Sequence, residues 1–247
     1  MPNWSYNTIA LQGKKEAVHE FIKLGLKNSN LEASDDIQKD FALLIEQGQT
    51  KVTNDERDDS PHEIIMEKYL SARTFLPIPD TFLLYDTTNH PNDFPAAAKE
   101  QKEKYGVVGW YRYNCLTLGT KWNFGLCNDG QTATLEEVAA GVWRFEFYCE
   151  TAWSMPLVWC GTMKKMFPEL TVAICAQEEN NSYCVTGEVD ENGELEEYAD
   201  LTDECQDAYA AWYNEYEENE ECDDYFDDTE ISDKLFERFN ELLASKI

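Results

Sequence analysis

VWRFEFYCE, residues 142–150, decides how the rest of the chain is read. Trp143, Phe145, Phe147 and Cys149 alternate with Arg144, Glu146 and Glu150, so apolar and charged side chains fall on opposite sides of an extended strand. Downstream, Pro156 opens a helix that runs to Met166 and that Pro168 closes. Strands follow at 170–176 and 183–189, and Asp190-Glu-Asn-Gly193 turns the chain into another at 194–198. Upstream, residues 3–13 read as a strand ending at Gly13, and 14–28 as a helix with Ala17, Phe21 and Leu24 on one face beside Val18 and Ile22. Strand–helix–strand units combined with hairpins, without regular alternation, predict an α+β sandwich in which helices cover one face of an antiparallel sheet.

The other segments are read by the same rules. Helices are expected at 34–48, 64–70 and 95–105, and a loop at 49–62. The two prolines of TFLPIPDTF make 74–82 extended, and aromatic-rich 109–124 reads as strand and loop. In the tail, Tyr209, Trp212, Tyr213 and Tyr216 form an aromatic stripe on a helix at 203–219, expected to dock it. A last helix at 231–244 presents Leu235, Phe239 and Leu242. The expected organisation is an α+β domain over 1–200, with a helical insertion near 30–105, and an acidic helical extension over 201–247 packed on it.

Charge narrows the classes of function. The 247 residues hold 49 Asp and Glu against 20 Lys and Arg, a net of −29. The excess is local: 177–233 contains 23 acidic residues and no Lys or Arg. Direct binding of nucleic acid or of anionic membrane needs the opposite sign. No run approaches the length of a membrane span, and no basic start with an apolar block opens the chain, which reads as cytoplasmic. The eight cysteines, at 115, 127, 149, 160, 175, 184, 205 and 222, lack Cys-x-x-Cys spacing and are read as free thiols, mostly buried.

Several of these stretches together resemble a known family. MPNWSYNTIALQG at 1–13, FLPIPDTF at 75–82, YGVVGWYRYN at 105–114, GTKWNF at 119–124 and RFEFYCETAWSMP at 144–156 resemble the YubB-type ferredoxin-like domain family, over about residues 1–190. Those are small proteins carried by phages, plasmids and bacterial genomes, with no reaction to carry over. The resemblance implies a ferredoxin-like βαββαβ core in which Gly-Thr-Lys-Trp and Thr-Ala-Trp-Ser come together. It implies no iron–sulfur cluster. The chain departs from the pattern at Leu118, where the family tends to have tryptophan, and at QEENNSYCVTG, 177–187; the tail beyond about 200 lies outside it.

No catalytic signature is present. His19, His62 and His90 are scattered, no phosphate loop, Gly-x-Ser-x-Gly or His-Glu-x-x-His occurs, and the calcium-like run from Asp190 has Leu195 where glycine is required. No cofactor or metal site is expected. The candidate ligand-binding group is Lys121 and Trp122 with Thr151, Trp153 and Ser154, suited by stacking and charge to a planar or anionic ligand. The same residues can equally be core tryptophans, a snorkelling lysine and hydroxyls capping backbone. The candidate interaction surface is Glu215, Glu217, Glu218, Glu220, Glu221, Asp223 and Asp224. Its 23-carboxylate segment equals the charge on roughly 40 Å of duplex DNA. The leading expectation is a non-enzymatic binding or interaction protein with a basic protein partner. The alternatives are a DNA-mimicking antagonist of a DNA-binding protein and a divalent-metal enzyme using tail carboxylates.

Overall fold

The computed structural model describes residues 3–28, 50–51, 70–126, 133–218 and 228–247. Their strands are β1 (Trp4–Lys14), β2 (Thr50–Lys51), β3 (Thr134–Ala139), β4 (Val142–Ala152), β5 (Thr171–Glu178), β6 (Cys184–Val189) and β7 (Leu195–Asp200). They form one sheet in the order β2-β3-β4-β1-β5-β6-β7, with every neighbouring pair antiparallel. Helix α1 (Lys15–Asn28) follows β1. Helices α2 (Ala72–Phe75), α3 (Asp80–Leu83), α4 (Pro95–Tyr105) and α5 (Trp110–Leu118) precede β3. Helix α6 (Leu157–Met166) joins β4 to β5, and α7 (Thr202–Glu218) and α8 (Thr229–Ala244) end the chain. The class is α+β.

Pairing register builds the main core. Ile9 stands opposite Phe147 and Ile174, and Leu11 opposite Phe145 and Val172, so three central strands pool their apolar sides. Val18, Phe21 and Ile22 of α1 and Trp159, Cys160 and Met163 of α6 close over that face. Trp159 is fully buried and touches the rings of Phe21, Phe75, Phe124 and Phe147. Helix α6 also sits close to the turn before β7: a Cβ on Gly161 would come within 2.4 Å of the Gly193 backbone nitrogen.

The expectation of helices on one face is corrected. Ala10 and Ala173 are neighbours on the opposite face, and Phe239, Leu242 and Leu243 of α8 cover them. Two small apolar residues at the sheet centre offer no polar surface to water and leave room for a helix. The side chain of Gln12, also on this face, donates to the Leu243 carbonyl at 2.9 Å and accepts from Arg144 Nε at 3.0 Å, tying the end of α8 to the sheet.

Other boundaries differ in informative ways. Segment 109–124, expected as strand and loop, contains α5, whose Asn114 and Leu118 turn inward one helical turn apart. The 74–82 stretch is extended only around Pro77 and Pro79, between the one-turn helices α2 and α3. Strand β3 was not expected; it pairs with β4 through Leu135 opposite Phe145. On α7, Tyr209 and Tyr213 are each more than two-fifths exposed. Leu201 and Cys205, at its start, pack with Cys184 and Leu235. The expected helix at 34–48, and all but Leu70 of the one at 64–70, lie outside the described residues. Among the described cysteines Cys149, Cys160, Cys184 and Cys205 are buried free thiols, Cys175 is half-buried and Cys115 is exposed. Burial pushes the Cys175 thiol up to about 12, so it stays protonated and unreactive at neutral pH. No helix among the described residues is long and apolar enough to cross a membrane.

The β5 end carries a buried carboxylate. Glu178, opposite Ser5, accepts from Ser182 Oγ at 2.8 Å, Ser182 N at 3.2 Å and Asn180 N at 2.9 Å, closing the turn into β6. Burial alone would raise its pKa, but these hydrogen bonds outweigh burial and hold it below the ordinary carboxylate value. A group whose folded pKa is lowered contributes stability above its unfolded pKa, and that contribution is lost as the pH falls through the folded value. Glu178→Gln is therefore expected to cost about 1–3 kcal/mol at neutral pH. Urea midpoints measured from neutral pH down through the carboxylate range should then fall less steeply in the variant than in the parent.

Candidate functional site

The site grows from the end of the β1–β4 pair, where Trp4 faces Ala152 and Ser5 faces Thr151. Asn7 is buried there. Its Nδ2 donates to the carbonyls of Ser5 (2.9 Å) and Cys149 (3.1 Å) and to Thr151 Oγ1 (3.0 Å), while its Oδ1 accepts from Ser5 Oγ (2.9 Å). Thr151 Oγ1 in turn donates to the Ser154 carbonyl at 2.7 Å. Beyond Ala152 the chain turns at Trp153, whose φ of +74° is left-handed. A bulky side chain in that region costs on the order of 1–2 kcal/mol. The turn is held by Trp153 N donating to the Asn3 carbonyl at 2.8 Å.

A second loop is laid against this turn. Gly119 ends α5 at φ +81°, and its carbonyl accepts from Ser154 Oγ at 2.6 Å. Thr120 Oγ1 donates to the Ala152 carbonyl at 3.0 Å, and Asn114 Nδ2 donates to the Lys121 carbonyl at 2.8 Å. Lys121 is thereby delivered to Trp153. Its Nζ lies 4.6 Å from the Trp153 ring centre, 4.8 Å from that of Trp122 and 5.8 Å from that of Tyr111. Tyr111 meets Trp153 edge-on at 6.1 Å, and Trp4 meets Trp122 at 5.6 Å. Trp153 remains 48% exposed. An ammonium beside three ring faces is a cation–π arrangement, and an exposed ring next to it is a stacking surface.

All five candidate residues thus come together, in two roles. Lys121, Trp122 and Trp153 form the platform, while the hydroxyls of Thr151 and Ser154 are engaged in the bonds that shape it. Tyr111 and Trp4 were not foreseen. Trp4 could have been found by pairing residues 3–13 with 142–152, because that register carries it to Ala152. Arg73, also unforeseen, donates to the side chain of the same Asn114, to Thr117 Oγ1 at 3.2 Å and to the Leu76 carbonyl at 2.9 Å. Burial lowers its pKa to about 10, so it remains a cation at neutral pH. No ion pair to Arg73 or Lys121 occurs among the described residues.

The acidic candidates are placed unevenly. Glu215, Glu217 and Glu218 fall in the last turns of α7, and Glu220, Glu221, Asp223 and Asp224 lie outside the described residues. The base-free segment borrows cations from elsewhere: Glu188 pairs with Lys164 (3.7 Å) and Lys246 (2.6 Å), and Glu204 with Lys234. Among the described residues no group of three or more His, Cys, Asp or Glu side chains is arranged to hold a metal ion.

These features define an α+β protein with an exposed aromatic–lysine platform. No family model matches the chain, and no curated protein matches it. Among solved structures, the protein api92 from Yersinia pseudotuberculosis, of family DUF1281, is similar at a TM-score of 0.32 and 12% identity, over 81% of this chain and 98% of that one. A likeness at that level decides neither fold family nor function.

Proposed function

We propose that this is a non-enzymatic binding protein on a ferredoxin-like core, with Lys121, Trp122, Trp153 and Tyr111 as its ligand platform. The ferredoxin-like reading is supported by the succession of β1, α1, β3, β4, α6 and β5, with β2 and α2 to α5 inserted before β3, and by the antiparallel order β3-β4-β1-β5, to which β2 adds an edge and β6 and β7 a hairpin. The same order is what the resemblance to the YubB-type family implies. The observation that carries the functional reading is Trp153, bulky and half-exposed yet held in a left-handed conformation beside a lysine. Strain kept at an exposed aromatic points to use of that ring. A planar anion, with an aromatic ring to stack on Trp153 and a carboxylate or phosphate for Lys121, fits the platform.

Quenching of tryptophan fluorescence by a panel of aromatic carboxylates and mononucleotides tests this. At least one compound is expected to bind saturably, and Lys121→Ala, folded as judged by circular dichroism, should weaken it at least tenfold. Binding that ignores the substitution would reject the platform. Turnover that disappears in Lys121→Ala would reject the non-enzymatic reading.

A second reading, a DNA-like acidic face shown to a basic protein, is favoured by carboxylates that stand on ordered elements: Glu196, Glu197 and Asp200 on β7, and Asp203 and Asp207 on α7, all exposed. It predicts salt-sensitive capture of a DNA-binding protein that neutralising Glu217, Glu218, Glu220 and Glu221 together weakens. Unchanged capture by that variant would end it.

A further inference from the structure

The sheet face that α8 covers is covered only in part. Beside the helix lies an open cleft of about 310 Å³, lined by Tyr6 and Thr8 of β1, Tyr148 of β4, Cys175 and Gln177 of β5, and Ser232, Asp233, Leu235 and Phe236 of α8. That volume is at the small end of the range for ligand sites, suited to one side-chain-sized group. Tyr6 and Phe236 are 38% and 41% exposed, leaving two aromatic side chains partly open to solvent at this cleft. Tyr148 donates to Glu150 Oε1 at 3.3 Å, and Gln177 is occupied by Asp228 (2.6 Å) and Ser232 (2.9 Å).

The described residues that line the cleft bring charge of one sign. Tyr6 pairs in register with Glu150 and Gln177, and its hydroxyl is held protonated by burial and then by Glu179, Glu150, Asp228 and Glu178. Cys175, in the lining, feels Glu146 in the same sense after burial, although Glu146 is itself paired with Arg144 at 3.7 Å. Asp233 stands in the wall itself, and among the described residues no Lys or Arg lines the cleft. Aromatic walls in a negative field repel carboxylate and phosphate. They favour an organic cation with an apolar stem, whose methylenes lie along the rings while its charge faces the carboxylates.

We propose that this cleft takes the alkylammonium or guanidinium end of a lysine or arginine side chain presented by a protein partner. The proposal supplies a chemistry for the basic partner of the binding-protein reading, at a site separate from the Lys121 platform. A free polyamine shares that chemistry and is the competing source.

The test uses the full chain and three probes: a neutral-bodied peptide with one central lysine, its arginine counterpart and spermidine. Binding is measured by calorimetry at low and moderate salt. The lysine or arginine peptide is expected to bind one to one. Phe236→Ala and Glu150→Gln should each weaken it at least fivefold, and Lys121→Ala should leave it unchanged. Neutralising the remote pair Glu196 and Glu197 should also leave it unchanged. Equal loss on the remote substitutions would show diffuse adsorption to an acidic surface and overturn the site. Saturable binding of spermidine alone would overturn the protein side chain as occupant, and absence of binding by every probe would overturn the proposal. Because Lys121→Ala reports only on the platform, failure of the cleft and failure of the platform are read separately.

Discussion

Trp159→Ala is expected to lower the unfolding free energy by about 3–5 kcal/mol, the range for deleting a fully buried aromatic. Four phenylalanine rings, from α1, α2, the segment after α5, and β4, converge on this one indole. Among the described residues the indole Nε1 has no hydrogen-bond partner, so the expected loss is one of packing and cavity. Native domains hold only about 5–15 kcal/mol in reserve. The variant should therefore show a much lower urea midpoint, with the slope of the transition preserved. A loss under about 1 kcal/mol would mean that the surrounding phenylalanines collapse into the space, which close-packed cores rarely permit.

The second large effect is at Trp153, where stability and binding should separate. Trp153→Gly and Trp153→Ala both remove the ring that faces Lys121 and Tyr111, and both should weaken platform binding at least tenfold. Their stabilities should differ in an unusual order. Alanine retains the cost of a Cβ at φ +74°, whereas glycine does not. The gain from releasing that strain, on the order of 1–2 kcal/mol, exceeds the extra chain entropy that glycine brings. Trp153→Gly is thus expected to be more stable than Trp153→Ala by about 1 kcal/mol, measured by thermal and urea unfolding. The reverse order would show that the left-handed turn relaxes once the ring is gone, and the argument from strain to function would fall.

Much of the local structure was legible from residues in a row. The alternation in 142–150 identified β4 and both of its faces, and the spacing of Leu235, Phe239 and Leu242 identified the buried side of α8. Neither pattern said which side of the sheet α8 would cover. That depended on Ala10 and Ala173 becoming neighbours, through strands more than 160 residues apart in sequence. The aromatic richness of 109–124 misled because Trp and Tyr suit any half-buried surface. In the fold that segment is a helix, tied by Asn114 and Thr117 to Arg73 and by Asn114 to the Lys121 carbonyl.

The platform divides along the same line. Lys121 beside Trp122, and Thr151 near Trp153 and Ser154, are visible in the chain as two short motifs. Their approach rests on Ser154 reaching the Gly119 carbonyl and on Thr120 reaching that of Ala152. Sequence alone determined the periodic elements and the concentration of the net negative charge in 177–233, because both are properties of neighbouring residues. Tertiary structure alone decided the left-handed turn at Trp153, the three rings around Lys121, the lysines lent to Glu188 and Glu204, and the aromatic cleft beside α8. Each of these depends on pairing between distant segments, and a contact across the sheet leaves no periodic trace in either partner.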